Sequence, residues 1–297
     1  MFNQKIRTMN KILITGATGH LGAAVINQLL KNTNANNIVA LARDENKGKS
    51  LKEKGVEVRL GTFDDMASLD KALQGIEKVL LISTADPNRF QQHKNVVDAA
   101  KKADVQFIAY TSVPLKDLNS AAAKPLLESH FQTEDYIKAS GLTYAFLRNN
   151  IYVDMVPVYV GEKVFETGIY LPAGTGKLPF ALRREMGEGT ANLLLHSEQH
   201  QNKTYDITNT ELYSFEDVAN VLSELSGKII TYTNADLDEF TKMLKERNVP
   251  EHFISIFTAF LTDFKNHQYE KATNDLEKLL GRKPATLKEA LKELYKL

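Results

Sequence analysis

The sequence predicts an α/β protein: a doubly wound parallel sheet followed by a smaller C-terminal α+β region. Three observations lead there. Six short apolar runs recur through the first 150 residues, each followed by a segment of helix length or by a turn. A glycine-rich turn stands directly after the first run. The alternation stops after Asn150. Parallel strands need such crossovers, and the crossover helices then cover both faces of the sheet.

The elements follow in order. Lys11-Ile12-Leu13-Ile14-Thr15 is a β-branched run that stops at Gly16, and Leu21, Val25, Leu29 and Leu30 after it fall on one face of a helix. Ile38-Val39-Ala40-Leu41 is the second strand. A Lys/Glu-rich helical stretch leads to Val56-Glu57-Val58-Arg59-Leu60, the third. Asp65 precedes a helix carrying Leu69, Ala72 and Leu73, and Val79 to Ile82 is the fourth strand. Pro87 suits the first turn of a helix running to about Ala103. Phe107-Ile108-Ala109-Tyr110 is the fifth strand. A helix from about Leu126 to Ala139 ends at Gly141, where glycine suits a left-handed cap, and Tyr144-Ala145-Phe146-Leu147 is the sixth strand.

Beyond Asn150, glycine and proline cluster from Gly161 to Pro179 and read as loop, with Gly168 to Gly176 either a mobile lid or a surface turn. Tyr205-Asp206-Ile207 and Ile229-Ile230-Thr231-Tyr232 are short strands. Ser214 with Asp217, and Thr286 with Glu289, have the spacing of helix-capping boxes. Phe253, Phe257, Phe260 and Phe264 lie on one helix face, either as core or as a roof over an aromatic ligand. The expected organisation is a leader over 1–8, one domain over 9–150, and a second over 151–297 interleaved with the first.

Composition removes whole classes of function. Lysine plus arginine number 37, as do aspartate plus glutamate, so the chain lacks the basic excess of a nucleic-acid binder. With no cysteine there is no disulfide, thiolate metal site or cysteine nucleophile, and a reducing, cytoplasmic location fits. No apolar run approaches the roughly 20 residues of a membrane span.

The sharpest motif is Gly16-Ala17-Thr18-Gly19-His20-Leu21-Gly22, between the first strand and the first helix. A helix N-terminus offers free N–H groups and a positive dipole end to a pyrophosphate. Glycine lets that group come close, and Gly22 lets the helix pack on the strand, as in Rossmann-type dinucleotide sites. Past the second strand the chain reads Ala42-Arg43-Asp44-Glu45-Asn46-Lys47. An acid there would hold a free ribose 2′-hydroxyl and a base a 2′-phosphate. Arg43, with Lys47 approaching from the next helix, favours NADP(H) over NAD(H), whereas an inward-turned Asp44 would favour NAD(H).

Ile14 to Gly22, Ala40-Leu41-Ala42-Arg43 and Leu147-Arg148-Asn149-Asn150 together resemble the NmrA-like atypical short-chain dehydrogenases. Within that family it resembles the type 2 NAD(P)H:quinone oxidoreductases and the triphenylmethane-dye reductases. The resemblance runs from Met9 through the C-terminal helices. It implies a cofactor over the carboxyl ends of the strands, with Gly16, Thr18, Gly19, His20 and Leu21 around the pyrophosphate and Arg43 on the 2′-phosphate. Ser83 would border the nicotinamide-side ribose, with Thr111 and Ser112 nearby. Asn149 would sit by the nicotinamide and Tyr152 on the substrate side. Relatives often carry aspartate where this chain has Thr62, next to the adenine, so that contact falls to Phe63 and Asp64.

The Tyr-x-x-x-Lys proton-transfer dyad of ordinary short-chain dehydrogenases is missing from the helix before the sixth strand. Tyr159 to Lys163 matches the pattern but falls after that strand and is set aside as a chance match. His130 is the residue on the expected helix with a near-neutral reference pKa, so it is a candidate for proton supply or substrate contact, or else a structural histidine. A quinone delocalises the incoming charge, so water or a weak donor such as Tyr152 would suffice. The expected activity is therefore hydride transfer from NADPH to a quinone or similar conjugated aromatic compound, with positioning as the protein's main contribution. The alternative is a redox-sensing regulator that binds NAD(P) without turnover. The expected partners are the small aromatic substrate and a second copy in a homo-oligomer.

Overall fold

A computed structural model describes residues 11–297; the leader assigned to residues 1–8 lies outside the described residues. The chain divides into two compact units. Unit 1 takes the chain up to Ser112, then Ser129–Arg148 and Arg184–Tyr205. Unit 2 takes Val113–Glu128, Asn149–Arg183 and Asp206–Leu297.

The strands are β1 (Ile12–Ile14), β2 (Ile38–Ala42), β3 (Glu57–Leu60), β4 (Lys78–Leu81), β5 (Phe107–Ser112), β6 (Thr143–Asn149), β7 (Ile169–Leu171), β8 (Lys203–Ile207) and β9 (Tyr232–Asn234). The helices are α1 (His20–Asn32), α2 (Glu45–Glu53), α3 (Met66–Ala72), α4 (Arg89–Lys102), α5 (Lys124–Ser140), α6 (Val156–Val160), α7 (Val164–Thr167), α8 (Arg183–Leu195), α9 (Phe215–Ser226), α10 (Leu237–Glu246), α11 (Glu251–Lys265), α12 (Asp275–Leu280) and α13 (Leu287–Tyr295). None of them is long and apolar enough to cross a membrane.

The main sheet has the order β3-β2-β1-β4-β5-β6-β8, and its neighbours from β3 to β6 pair in parallel. This is the doubly wound arrangement expected from the sequence. β1, β2, β4 and β5 are buried along their whole length, which is why they read as unbroken apolar runs. β3 is an edge strand, half-buried, with Leu60 exposed. The winding reverses between β1 and β4, and in such sheets ligands bind outside the carboxyl ends of the strands at that reversal.

Several local expectations shift. Pro87 lies just outside α4, which Asn88 precedes, because the turn at Asp86 closes first through Arg89 N–H to Asp86 C=O at 3.0 Å. The span read as loop from Gly161 to Pro179 contains α7 and β7. β7 pairs in parallel with β9, the Gly174 N–H donates to Asn234 Oδ1 at 2.9 Å, and the Tyr232 hydroxyl donates to Gly174 C=O at 2.9 Å. These bonds hold the segment that was a candidate lid. The strand expected at Ile229–Tyr232 begins only at Tyr232, because the backbone of Ile230 bonds the Ser223 hydroxyl of α9 in both directions and leaves Ile229 in solvent.

Unit 2 is built on an aromatic core. Phe264 is buried against Phe215 and Tyr269, and Phe257 stacks on Tyr159 at 5.2 Å, whereas Phe253 is exposed at the start of α11. The four phenylalanines thus span the core and the surface and do not share one environment. Tyr159, set aside as a proton donor, packs into this core.

Both capping boxes form. Ser214 Oγ accepts from Asp217 N–H at 3.1 Å while the Asp217 carboxylate accepts from Ser214 N–H at 2.7 Å, and Thr286 and Glu289 repeat the pattern. Ser214→Ala should therefore lower the stability of the protein by about 1 kcal/mol, read as a smaller urea midpoint at unchanged m-value.

Candidate active site

In unit 1, β1 ends in a hydroxyl that ties it to its neighbour. Thr15 Oγ1 accepts from Ile82 N–H at 2.8 Å, and Thr111 Oγ1 of β5 accepts from Ser83 N–H at 2.9 Å. Side-chain hydroxyls continue the ladder past the point where the strands separate. They fix the rim of the sheet where Ser83, Thr111 and Ser112 lie. Ser112 Oγ is buried there without a partner among the described residues.

The glycine turn stands on this rim. Gly16 takes a left-handed conformation (φ 57°), and its carbonyl accepts from Gly19 N–H at 2.9 Å. Gly19 caps α1 but offers no side-chain acceptor. The N–H groups of His20, Leu21 and Gly22 in the first turn therefore point out of the helix without an intrahelical acceptor. Thr18, Gly19 and His20 are exposed, Ala17 and Leu21 buried. A Cβ on Gly22 would stand 2.3 Å from Gly16 O and 2.8 Å from Ala17 Cα, so only glycine lets α1 start this close to the turn. The result is an anion cradle made of backbone.

Next to it, past β2, the two charge readings separate cleanly. The Asp44 carboxylate accepts from Lys47 N–H at 2.9 Å and caps α2. It is thereby committed to a helix N-terminus. Arg43 is exposed and, among the described residues, has no hydrogen bond or ion pair. Lys47 is exposed on the first turn of α2. Phe63 is half-buried, with its ring edge-on to His93, and Asp64 accepts from Gln92 Nε2 at 3.1 Å.

His130 is placed differently from the expectation of a proton source. It is buried, and its Nδ1 lies 2.9 Å from the Tyr110 hydroxyl. Burial, followed by the charge of Arg89 and then by His93, drives its pKa well below the usual histidine range. At neutral pH it carries no imidazolium proton to give, and it packs as a hydrogen-bonded structural histidine. Beside it, His93 Nδ1 lies 3.1 Å from Thr133 Oγ1, whose own proton goes to Ser129 C=O. That assigns the proton to His93 Nδ1 and leaves Nε2 bare, buried and unpartnered. In the Leu147-Arg148-Asn149 segment, Arg148 forks onto the buried Glu134 carboxylate at 2.9 and 2.6 Å, fixing the end of β6 against α5.

In unit 2, Asn149 Nδ2 donates to the Tyr152 hydroxyl at 3.3 Å, while Asn149 Oδ1 is buried without a partner among the described residues. The phenol proton of Tyr152 is thus free for another acceptor. The Arg183 guanidinium lies over the Tyr152 ring, 4.6 Å from its centre. Burial pushes the Tyr152 hydroxyl up, against the Asn149 hydrogen bond and the Arg183 charge, which pull it down. Sequence reasoning passed over Arg183, because nothing in Leu182-Arg183-Arg184 marks it apart from its register with Tyr152, which only folding supplies.

The model of the NmrA-like family matches residues 8–295. The chain belongs to the NmrA-like family. This NmrA-like protein is 34% identical over 286 residues to Quinone oxidoreductase 2 of Escherichia coli (strain K12), covering 96% of this chain and 98% of the relative. Among solved structures it is similar to the triphenylmethane reductase of Citrobacter sp., with 35% identity and a TM-score of 0.89 over 97% of this chain and 100% of that one. It is also similar to the NADPH-dependent quinone oxidoreductase of Escherichia coli complexed with NADPH, with 33% identity and a TM-score of 0.87 over 96% and 99% of the two chains. The family read from the glycine turn, Arg43 and the Leu147–Asn150 segment is the family found.

Proposed function

We propose that this protein is an NADPH-dependent reductase that transfers a hydride to a quinone or a similar conjugated aromatic acceptor. The observation that carries the reading is the pairing of the backbone anion cradle at Gly16–Gly22 with a neighbouring arginine that has no partner among the described residues. Those residues fit a phosphorylated dinucleotide: three outward N–H groups for the pyrophosphate, and Arg43 with Lys47 for a 2′-phosphate. Asp44, the group that would have favoured a free 2′-hydroxyl, is occupied in capping α2. The likeness to an NADPH-bound quinone oxidoreductase over nearly the whole chain supports the same reading.

In this reading unit 1 carries the cofactor. Ser83, Thr111 and Ser112 line its nicotinamide end, and Phe63 and Asp64 its adenine end. Asn149 is the residue assigned to the nicotinamide and Tyr152 the residue assigned to the acceptor. NADPH supplies the hydride. The chain orients the acceptor and offers the Tyr152 hydroxyl, held by Asn149, to its oxygen. Demand for acid catalysis is small, since the charge delivered to a quinone spreads over an aromatic product. The cytoplasmic location expected of the cysteine-free chain belongs to the same reading.

The test is steady NADPH oxidation with a panel of quinones. Bound NADPH that is never consumed with any of them would transfer the protein to the regulator class. Arg43→Ala should weaken NADPH binding by about tenfold to a hundredfold, the worth of one or two charge-assisted hydrogen bonds, and leave NADH binding unchanged. Equal losses for both nucleotides in calorimetry would remove Arg43 from the phosphate.

A further inference from the structure

We propose that Arg183 stabilises the negative charge that hydride transfer leaves on the acceptor's oxygen, and so selects acceptors whose reduced form is an anion. This rests on the reductase reading and adds a specificity-determining residue to it. A half-buried guanidinium ordinarily meets a carboxylate. Arg183 does not: among the described residues it has no side-chain hydrogen bond or ion pair, and its one side-chain partner is the face of the Tyr152 ring. The nearby carboxylate is spent elsewhere, since Asp154 accepts from the Arg183 backbone N–H at 2.8 Å and so caps the start of α8. The guanidinium is therefore held by stacking, with its N–H donors uncommitted, on the ring whose hydroxyl is free to donate. An oxygen bonded to Tyr152 Oη lies at the edge of that ring, within the field of the cation above it.

The chemistry calls for such a group. The acceptor gains a hydrogen together with both electrons of the C–H bond that NADPH gives up. A quinone thereby becomes a hydroquinone monoanion, and NADP⁺ is left. A proton from water, passed through the Tyr152 hydroxyl, then completes the hydroquinone. A fixed cation aimed at charge that develops in the transition state accelerates the step without reorganisation. It gives no such help to an acceptor that starts as a cation and ends neutral.

The test uses the full chain as wild type, Arg183→Leu and Arg183→Lys. With a neutral naphthoquinone, Arg183→Leu should lower kcat and kcat/KM together by about tenfold to a hundredfold, and Arg183→Lys should recover part of the loss. NADPH affinity should not change. A second arm needs no turnover. A hydroxynaphthoquinone ionises below neutral pH and carries the charge of the product, and its affinity without NADPH should fall about tenfold in Arg183→Leu, while the parent naphthoquinone changes less than about twofold. Unchanged turnover in Arg183→Leu, or equal weakening of the charged and neutral ligands, would overturn the inference and leave Arg183 as packing for Tyr152. A wild-type protein that turns over no quinone overturns the reductase reading instead, and the binding arm still decides whether Arg183 recognises an anion.

Discussion

Gly22→Ala is expected to raise the NADPH dissociation constant at least about a hundredfold while leaving the protein folded. The added Cβ would stand 2.3 Å from Gly16 O and 2.8 Å from Ala17 Cα. Both are backbone atoms, so no side chain can swing aside. The first turn of α1 must lift from the glycine turn, and with it go the N–H groups that form the cradle. The strain falls where the glycine turn meets the start of α1, past the end of β1, so far-ultraviolet circular dichroism should be that of the wild type. Gly19→Ala provides the internal comparison. Its Cβ would meet Gly16 O at 3.3 Å, a contact relieved by a small shift, so a weaker effect is expected. Calorimetric titration of both variants decides the matter; Gly22→Ala binding within threefold of wild type would mean that the cradle is not where the nucleotide sits.

The second large effect is acid sensitivity. His93 and His130 are buried side by side around Tyr110, with ring centres 5.3 and 6.1 Å from it. Burial, then the Arg89 charge, lowers His93 to about 3 from a reference of 6.5, and His130 is driven down by the same causes. Both folded-state values are depressed, so the unfolded chain binds more protons once the pH falls below the unfolded value. Stability is therefore whole above about pH 6.5 and declines as the pH drops, by roughly 1 kcal/mol per pH unit for each histidine. Across two units His93 alone reaches roughly 2 kcal/mol, and His130 adds to it in the same direction, against the 5–15 kcal/mol typical of a domain. Protonating His93 is costly for a visible reason. Its Nε2 has no hydrogen-bond partner among the described residues, and the charge that acts on it is the positive Arg89. Urea midpoints measured at pH 7 and pH 5 should show the decline. His93→Gln, which keeps a donor for Thr133 without a titrating group, should reduce the slope by about half. His130→Gln is the second such variant. A slope unchanged in both would place the acid-sensitive groups elsewhere.

Much of this was written in the order of residues. Parallel strands covered on both faces must be apolar throughout, so β1, β2, β4 and β5 stand out as short runs of Val, Ile, Leu and Ala, and the intervening helices follow from their spacing. The glycine turn was legible because it serves the backbone at one place in the chain: Gly16 for its left-handed conformation and Gly22 for its close approach. Arg43 stood out as a candidate because, in such a fold, the residue past the second strand is the one placed to meet a bound ribose. The capping boxes were legible because both partners lie within four residues. β7 and β9 were not. Each has three residues, and each finds its partner some 60 positions away, so the local signals, glycine-rich flanks and the apolar Ile229, point elsewhere.

The sequence by itself determined the class of sheet, the place of the glycine turn at the start of α1 and the sign of the charge past the second strand. Each of these follows from local geometry or from a pattern repeated along the chain. The tertiary structure alone decided what distant side chains do to one another. It committed Asp44 to a helix end, sealed His130 against Tyr110 and kept it neutral, and laid Arg183 on the ring of Tyr152. A carboxylate, an imidazole or a guanidinium has no fixed character in the chain. Its charge state and its partner are set by burial and by neighbours that only folding brings near.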